Sequence, residues 1–192
     1  MNMQSILKTA LSHLTLSVCV AAAIPLPAFA ADAQVNAERL ARGKYLVTTA
    51  GCNDCHTPWK MGASGPEPDM SRMLSGHPEQ LRMPPAPKLP EGPWLVIASA
   101  TNAAWAGPWG VSFTANLTPD KETGLGSWTL RNFTDTIRTG RHLGRGRPIL
   151  PPMPIPMYKN FTDNDLASIF AYLQSIPVVK NKVPEPLPPA SH

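Results

Sequence analysis

Apolar residues recur at helical spacing in three stretches of the chain, and proline-rich stretches separate them. Near the C-terminus, four apolar side chains occupy the i, i+3, i+4 and i+7 positions of an amphipathic helix: Leu166, Ile169, Phe170 and Leu173. The pattern predicts a helix that begins after Thr162, a good N-cap residue, and stops before Pro177.

The N-terminal stretch predicts a second helix over residues 36–50, with Asn36 as its N-cap and Gly51 as its end. Gly43 lies in the middle of this helix, where glycine costs about 1 kcal/mol relative to alanine. We therefore expect Gly43 to be a position of close packing against another helix.

A third helix is predicted over residues 128–138, with Ser127 as N-cap and Gly140 at its end. The nine prolines between residues 57 and 93 indicate a long loop instead of a helix, with at most one short turn at residues 70–74. Two partly β-branched apolar stretches, 94–101 and 109–115, then suggest a β-hairpin with an irregular connection.

The length of the chain suits one domain of ordinary size, and its many prolines indicate long ordered loops. It has 192 residues, of which 43% are hydrophobic, with 23 prolines against 13 glycines. The formal charge of +4 is too small and too scattered to suggest nucleic acid as a partner.

Residues 1–30 have the pattern of a secretory signal peptide. Lys8 provides the positive start, residues 14–24 form a short apolar run, and Ala28-Phe29-Ala30 is a cleavage site that would leave Ala31 as the first residue. An uncleaved anchor is the alternative. The signal peptide predicts a periplasmic or otherwise exported protein. Since no other stretch of the sequence could span a membrane, we expect no integral membrane span in the mature form.

The candidate chemistry lies in Cys52-Asn53-Asp54-Cys55-His56, the C-x-x-C-H attachment pattern of a c-type haem. Two thiols three residues apart lie on one face of a helical turn, so both can bond to one porphyrin. The adjacent histidine can then offer an imidazole nitrogen to the iron. The motif predicts one covalently bound haem c per chain, with Cys52 and Cys55 holding the cofactor and His56 binding the metal.

A disulfide or thioredoxin-like redox pair, and half of a zinc site, are the competing interpretations of the two cysteines. A redox C-x-x-C normally follows a strand in a βαβ unit, and the sequence has no such pattern. A zinc site needs about four ligands. The only other cysteine is Cys19, which lies in the predicted signal peptide.

The order of elements resembles a class I, single-haem cytochrome c over residues 36–58 and 111–177. Several motifs are similar to cytochrome c subunits of periplasmic dehydrogenases: the C-x-x-C-H, Asn116 to Asp120 with Thr123-Gly124, Trp128 to Gly140, Met153-Pro154, and Tyr158. The resemblance implies a mainly α fold of three to four helices around one covalent haem. The cytochrome c domain would occupy residues 31–183. It would contain a proline-rich insertion at about 61–110, with room for a small β-hairpin. A mobile proline-rich tail over 184–192 would follow the domain.

The resemblance also implies a methionine as the sixth iron ligand, in the loop before the last helix. Met153 lies in Pro151-Pro152-Met153-Pro154, where the backbone has little freedom to lose. Met157 shares the loop and stays open as the alternative, while His142 would give a haem of lower potential. The remaining candidates are Met61, Met70, Met73, Met83 and His77.

A haem with histidine and methionine ligands has no open position for a substrate. The sequence therefore predicts an electron carrier, or an electron-transfer subunit of an oxidoreductase complex, and not an enzyme in its own right. Its partners would be redox proteins: an exported dehydrogenase, an oxidase or another cytochrome. The alternative is a haem enzyme or small-ligand sensor with a displaceable sixth ligand; a structural role of the haem alone ranks lower.

Overall fold

The computed structural model describes residues 28–85 and 92–189. Most of the predicted signal peptide lies outside these residues. Five α-helices are formed within the described part: α1 (Ala28–Thr49), α2 (Cys52–His56), α3 (Leu130–Thr139), α4 (Ile155–Tyr158) and α5 (Asp163–Ser175). None of these helices combines the length and the apolar character that a membrane crossing requires. Helices with a few small antiparallel strands are compatible with a cytochrome c-like fold.

Helices α1 and α5 cross at Gly43. A Cβ atom at this position would lie 2.0 Å from the Ser168 carbonyl oxygen and 2.7 Å from the Tyr172 Cβ. This confirms the expected close packing of Gly43 against the C-terminal helix. Arg42, the preceding residue, donates to the Asp165 carboxylate at 2.9 Å and so joins the same two helices at their surface.

The core lies where α1, α3 and α5 meet. Phe133 of α3 packs against Phe170 of α5, with ring centroids 5.5 Å apart. Burial of this apolar surface contributes most of the free energy that stabilises helices as short as these. The buried side chains of the cluster are Leu46, Val47, Leu74, Leu125, Phe133, Ile137, Tyr158, Leu166, Ile169, Leu173 and Ile176.

Several helix boundaries differ from those predicted. Helix α1 already begins at Ala28, so Asn36 lies inside it and not at its N-cap. Helix α3 begins after Thr129, whose side chain and that of Asn132 form a reciprocal capping box, which displaces the predicted cap at Ser127. The Thr162 cap of α5 is confirmed.

The region between α2 and α3 contains more strand than the sequence predicted. An antiparallel pair, β1 (Trp59–Gly62) and β2 (Gly65–Pro68), lies within the predicted long loop. A three-stranded sheet follows, with β3 (Ile97–Ala98), β4 (Ala104–Gly107) and β5 (Gly110–Phe113) in that order. A hairpin is therefore present, but its first strand occupies the residues that were expected to form the irregular connection.

The C-terminal tail is attached to this sheet. Val111 and Leu187 form an antiparallel bridge with both N···O distances at 2.9 Å. Asn181, which is 1% exposed, donates to the carbonyls of Ser75 and His77. The segment that the sequence predicted to be mobile is thus hydrogen-bonded to β5 as far as Leu187.

Replacing Gly43 by alanine tests the helix crossing. Intrinsic helix propensity alone would make Gly43→Ala stabilising by about 1 kcal/mol. The added methyl group would overlap a backbone oxygen that cannot move without shifting α5, so we expect a net loss of about 1–3 kcal/mol in the free energy of unfolding. Urea unfolding measures it. Thr48→Ala, at an exposed position of α1, is the control and should change stability little; a stabilised Gly43→Ala protein would contradict the close crossing.

Candidate functional site

The C-x-x-C-H motif forms a single helical turn of its own, α2, directly after α1. Gly51 separates the two helices in the left-handed conformation, with φ at 72°, which glycine adopts without a steric penalty. The Asp54 N–H donates to the Gly51 carbonyl at 3.1 Å, and the Thr57 N–H donates to the Asn53 carbonyl at the same distance. The short helix therefore holds Cys52, Cys55 and His56 on one rigid turn.

His56 is oriented by a backbone carbonyl from a distant part of the chain. Its Nδ1 lies 2.8 Å from the Ala115 oxygen, and because a carbonyl only accepts, Nδ1 carries the proton. Burial lowers the pKa of His56, and the bond to Ala115 opposes this in part. The neutral ring then has its lone pair on Nε2, which has no hydrogen-bond partner within the described residues. Metal-binding histidines are commonly fixed in this way through their other nitrogen.

The two thiols do not have the properties of a redox pair. Both cysteines are free. Burial raises the pKa of Cys52 to about 11, and burial also raises the pKa of Cys55. Reactive C-x-x-C cysteines have lowered pKa values instead. The motif also follows a helix and not the strand of a βαβ unit.

A zinc site also lacks support from the structure. Within residues 28–85 and 92–189, no three His, Cys, Asp or Glu side chains converge in a way that could hold a metal ion. A structural zinc needs about four such ligands.

Met153 lies in the turn between the 3₁₀ turn at His142–Gly144 and α4. Its side chain is partly buried against the same apolar cluster that Cys52 contacts. Met157, the alternative, is in α4 and 62% exposed. The side chain of Met153, unlike that of Met157, is thus among those packed against the apolar cluster that Cys52 also contacts.

Most of the other candidate ligands are hydrogen-bonded elsewhere or face solvent; the exception is Met73, which is partly buried against the same apolar cluster as Met153. Met61 and Met70 are 78% and 57% exposed. His77 is fully buried, but its Nε2 lies 2.9 Å from the Leu81 carbonyl oxygen. His142 is exposed and places its ring edge-on to Trp128, with centroids 5.3 Å apart.

The residues present fit a covalently attached haem. Two free thiols lie on one helical turn, the neighbouring histidine keeps Nε2 available, and a partly buried thioether lies at the adjoining apolar cluster. Cys52 and Cys55 would hold the porphyrin, while His56 and Met153 are the nitrogen and sulfur donors that haem iron takes in electron carriers.

Two contributors to this site were not found from the sequence. One is the Ala115 carbonyl that orients His56; a backbone group leaves no signature in side-chain patterns. The other is Ser112, whose hydroxyl donates to the Pro151 carbonyl at 2.5 Å, two residues before Met153. The alternation of Ser112 with apolar neighbours indicated a strand, but it did not indicate a contact with residue 151.

Comparison with known proteins finds relatives among components of dehydrogenases. The chain is 35% identical over 88 residues to a nicotinate dehydrogenase component of Pseudomonas putida, which is 45% of this chain and 7% of that protein. It is 27% identical over 136 residues to the fructose dehydrogenase cytochrome subunit of Gluconobacter japonicus, or 71% of this chain and 21% of that protein. The gluconate 2-dehydrogenase cytochrome c subunit of Pantoea cypripedii is 27% identical over 142 residues, or 74% of this chain and 24% of that protein.

No model of a known protein family matches the chain. The chain also spans less than a quarter of the length of each of these three relatives. Within that span, two of the three are named as cytochrome subunits, in agreement with the C-x-x-C-H helix. The chain is similar to the cytochrome c subunits of dehydrogenases.

Proposed function

We propose that the chain is an exported electron-transfer protein that carries one covalently bound haem c with His56 and Met153 as axial ligands. The observation that carries the proposal is the geometry of His56: it lies on the C-x-x-C-H helix, and the bond from Nδ1 to Ala115 leaves Nε2 available. The similarity to cytochrome c subunits of dehydrogenases supports it.

Each residue of the site has a distinct task in this proposal. Cys52 and Cys55 each add a thiol across a vinyl group: a C–S bond forms, the thiol hydrogen goes to the neighbouring carbon, and nothing leaves. His56 supplies the nitrogen donor. Met153 supplies a soft thioether that favours the ferrous state and so raises the reduction potential. When bound, haem supplies the one-electron couple.

With both axial positions taken by the chain's own side chains, no site remains for a substrate. This favours a carrier between redox proteins, one of them an exported dehydrogenase, over a haem enzyme or small-ligand sensor. The sensor alternative needs a displaceable sixth ligand and would be recognised by ready carbon monoxide binding in the unmodified protein.

Covalent attachment is tested by mass spectrometry of the protein made by a host that exports and matures c-type cytochromes. We expect a mass increase of one haem and an N-terminus at Ala31. Cys52→Ala should leave one thioether and Cys55→Ala likewise, which shifts the α-band of the reduced protein because one vinyl group stays unsaturated. A haem that acid acetone extracts from the unmodified protein would contradict attachment through both cysteines.

Replacing each methionine in turn tests the sixth ligand. Met153→Ala should abolish the thioether–iron charge-transfer band, lower the reduction potential and allow carbon monoxide to bind, because the ferrous iron loses its soft ligand. Met157→Ala is the matched control. Its side chain is 62% exposed, so we expect an intact band and a stability change within about 0.5 kcal/mol. The reverse outcome would move the ligand to Met157 but leave electron transfer standing.

The distribution of charge indicates the kind of partner and where it docks. Residues 128–160, which include Met153, contain six Lys or Arg and one Asp, a net charge of +5. The rest of the chain contains 11 Lys or Arg and 12 Asp or Glu, a net charge of −1. The positive excess therefore belongs to the segment that carries the proposed ligand.

Three of the six basic residues of this segment, Arg141, Arg145 and Arg147, lie on a short, well-fixed loop over residues 141–147. The His142 N–H donates to the Arg147 carbonyl at 2.9 Å, and the Gly146 N–H donates to the His142 carbonyl at 2.8 Å. Arg147 pairs with Glu185 at 3.4 Å, whereas exposed Arg145 forms no ion pair within the described residues. The loop fits an acidic face of a redox partner, which it would steer toward Met153.

Reversing one charge on this loop tests the docking face. We expect Arg145→Glu to slow oxidation of the reduced protein by the anion hexacyanoferrate(III) roughly fivefold at low salt and to speed oxidation by the cation tris(phenanthroline)cobalt(III). Stopped-flow rates at increasing salt measure both effects, which should vanish at high ionic strength. Lys44→Glu on α1 makes the same change of charge outside the segment. Equal effects of the two variants would mean that only net charge matters.

A further inference from the structure

One short segment, residues 112–115 at the end of β5, contacts the ring of one proposed axial ligand and the turn that carries the other. Ser112, in β5, donates from Oγ to the Pro151 carbonyl at 2.5 Å. Three residues later, the Ala115 carbonyl accepts from Nδ1 of His56 at 2.8 Å. A span of four residues thus contacts the turn of Met153 on one side and the ring of His56 on the other.

Few backbone N–H groups are available to hold the Met153 turn in place. Pro151, Pro152 and Pro154 have no N–H, so backbone attachment depends mainly on carbonyl acceptors. The Met153 and Pro154 carbonyls accept from the start of α4, at 2.9 Å from Ile155 and 3.0 Å from Met157. These bonds fix the turn to the helix that follows it. Within the described residues, the Ser112 bond ties the turn to β5.

Ser112 is suited to this contact. Ser112 is only 7% exposed, so water competes little for its hydroxyl group. The Trp109 indole N–H donates to the same oxygen at 3.3 Å, and the Trp105 carbonyl lies 3.3 Å away. The single hydroxyl hydrogen goes to the nearest acceptor, the Pro151 carbonyl. The serine is therefore held from the side of the sheet while it donates to the turn.

Strand β5 is itself fixed on both edges. It pairs with β4 from Ala104↔Phe113 to Gly107↔Gly110, and its other edge bonds to Leu187 of the tail. A Cβ at Gly110 would lie 2.0 Å from the Leu187 carbonyl oxygen, so the tail lies directly against the strand. A strand paired on both sides is a stiff support for the Met153 turn.

We infer that Ser112 is a positioning residue that keeps the Met153 thioether on the iron, and that the segment over residues 112–115 thereby sets the geometry of both axial ligands. The inference rests on the proposed function, because it assumes that Met153 is the sixth ligand. The β3–β5 sheet is then a support for the ligand turn and not a separate docking module.

The rate at which cyanide binds to the ferric protein tests this inference, because cyanide enters only after methionine has left the iron. Ser112→Ala should raise this rate about fivefold, the factor that corresponds to losing one hydrogen bond of about 1 kcal/mol. It should also weaken the thioether–iron band at elevated temperature. Ser112→Thr keeps the hydroxyl in a strand-compatible side chain and should stay close to the unmodified protein.

Ser99→Ala is the matched control. Ser99 precedes β4, and its Oγ accepts from the Ala104 N–H at 3.0 Å, but it makes no hydrogen bond to residues 151–154. The control should leave the cyanide rate unchanged. An unchanged rate in Ser112→Ala, an equal rise in Ser99→Ala, or a rise in Ser112→Thr as large as in Ser112→Ala would each overturn the inference.

The ligand assignment has a separate readout. If the unmodified protein lacks the thioether band, or if Met153→Ala leaves the cyanide rate unchanged, Met153 is not the ligand and the role of Ser112 falls with it. If Met153→Ala behaves as proposed and Ser112→Ala does not, the function stands and only the positioning role fails.

Discussion

The hydrogen bond from His56 to the Ala115 carbonyl joins two parts of the chain that are 59 residues apart. The chain over residues 57–114 leaves α2 and has to return to it at this point. Two further bonds close the same loop: the Gly76 N–H donates to the His56 carbonyl at 2.7 Å, and the His77 N–H donates to the Thr114 carbonyl at 2.9 Å. The segment that follows α2 is thus tied to the C-x-x-C-H helix at Gly76 and at Ala115. A long segment so attached costs little additional loop entropy, since closure entropy grows only slowly with length.

Features with local causes could be predicted from the sequence. The C-x-x-C-H turn, the left-handed glycine that follows α3, and the Thr162 cap all depend on residues within one or two turns of each other. Gly43 was also found, because glycine in a helix interior is unfavourable unless a neighbour requires it, and Ser168 is that neighbour. At each of these positions, one residue type has a single physical use.

Features that depend on distant partners could not be predicted. Strand β2 contains Pro66 and Pro68, which normally argue against a strand; within the described residues β2 pairs only with β1, so its other edge needs no N–H donors. The choice of Thr129 over Ser127 as N-cap depends on Asn132, whose side chain completes the capping box in place of the usual Glu or Gln. The contact of Ser112 with Pro151 spans 39 residues and depends on how the sheet meets the turn. Neither partner shows this contact in its own sequence context.

The position of the basic loop explains why a separate support for Met153 would be useful. The Ile149 N–H donates to the Gly140 carbonyl at 2.8 Å, so the loop over 141–147 closes directly before the Met153 turn. A partner that binds the arginines would therefore displace residues close to the ligand. A turn held only by its neighbours along the chain would pass that displacement to the thioether. An anchor on β5, which pairs with β4 and with Leu187 of the tail, would keep the thioether in place while the loop engages a partner. In this arrangement the loop that would contact a partner and the strand that holds the Met153 turn are different segments of the chain, and the proposed reduction potential would not depend on which partner is bound.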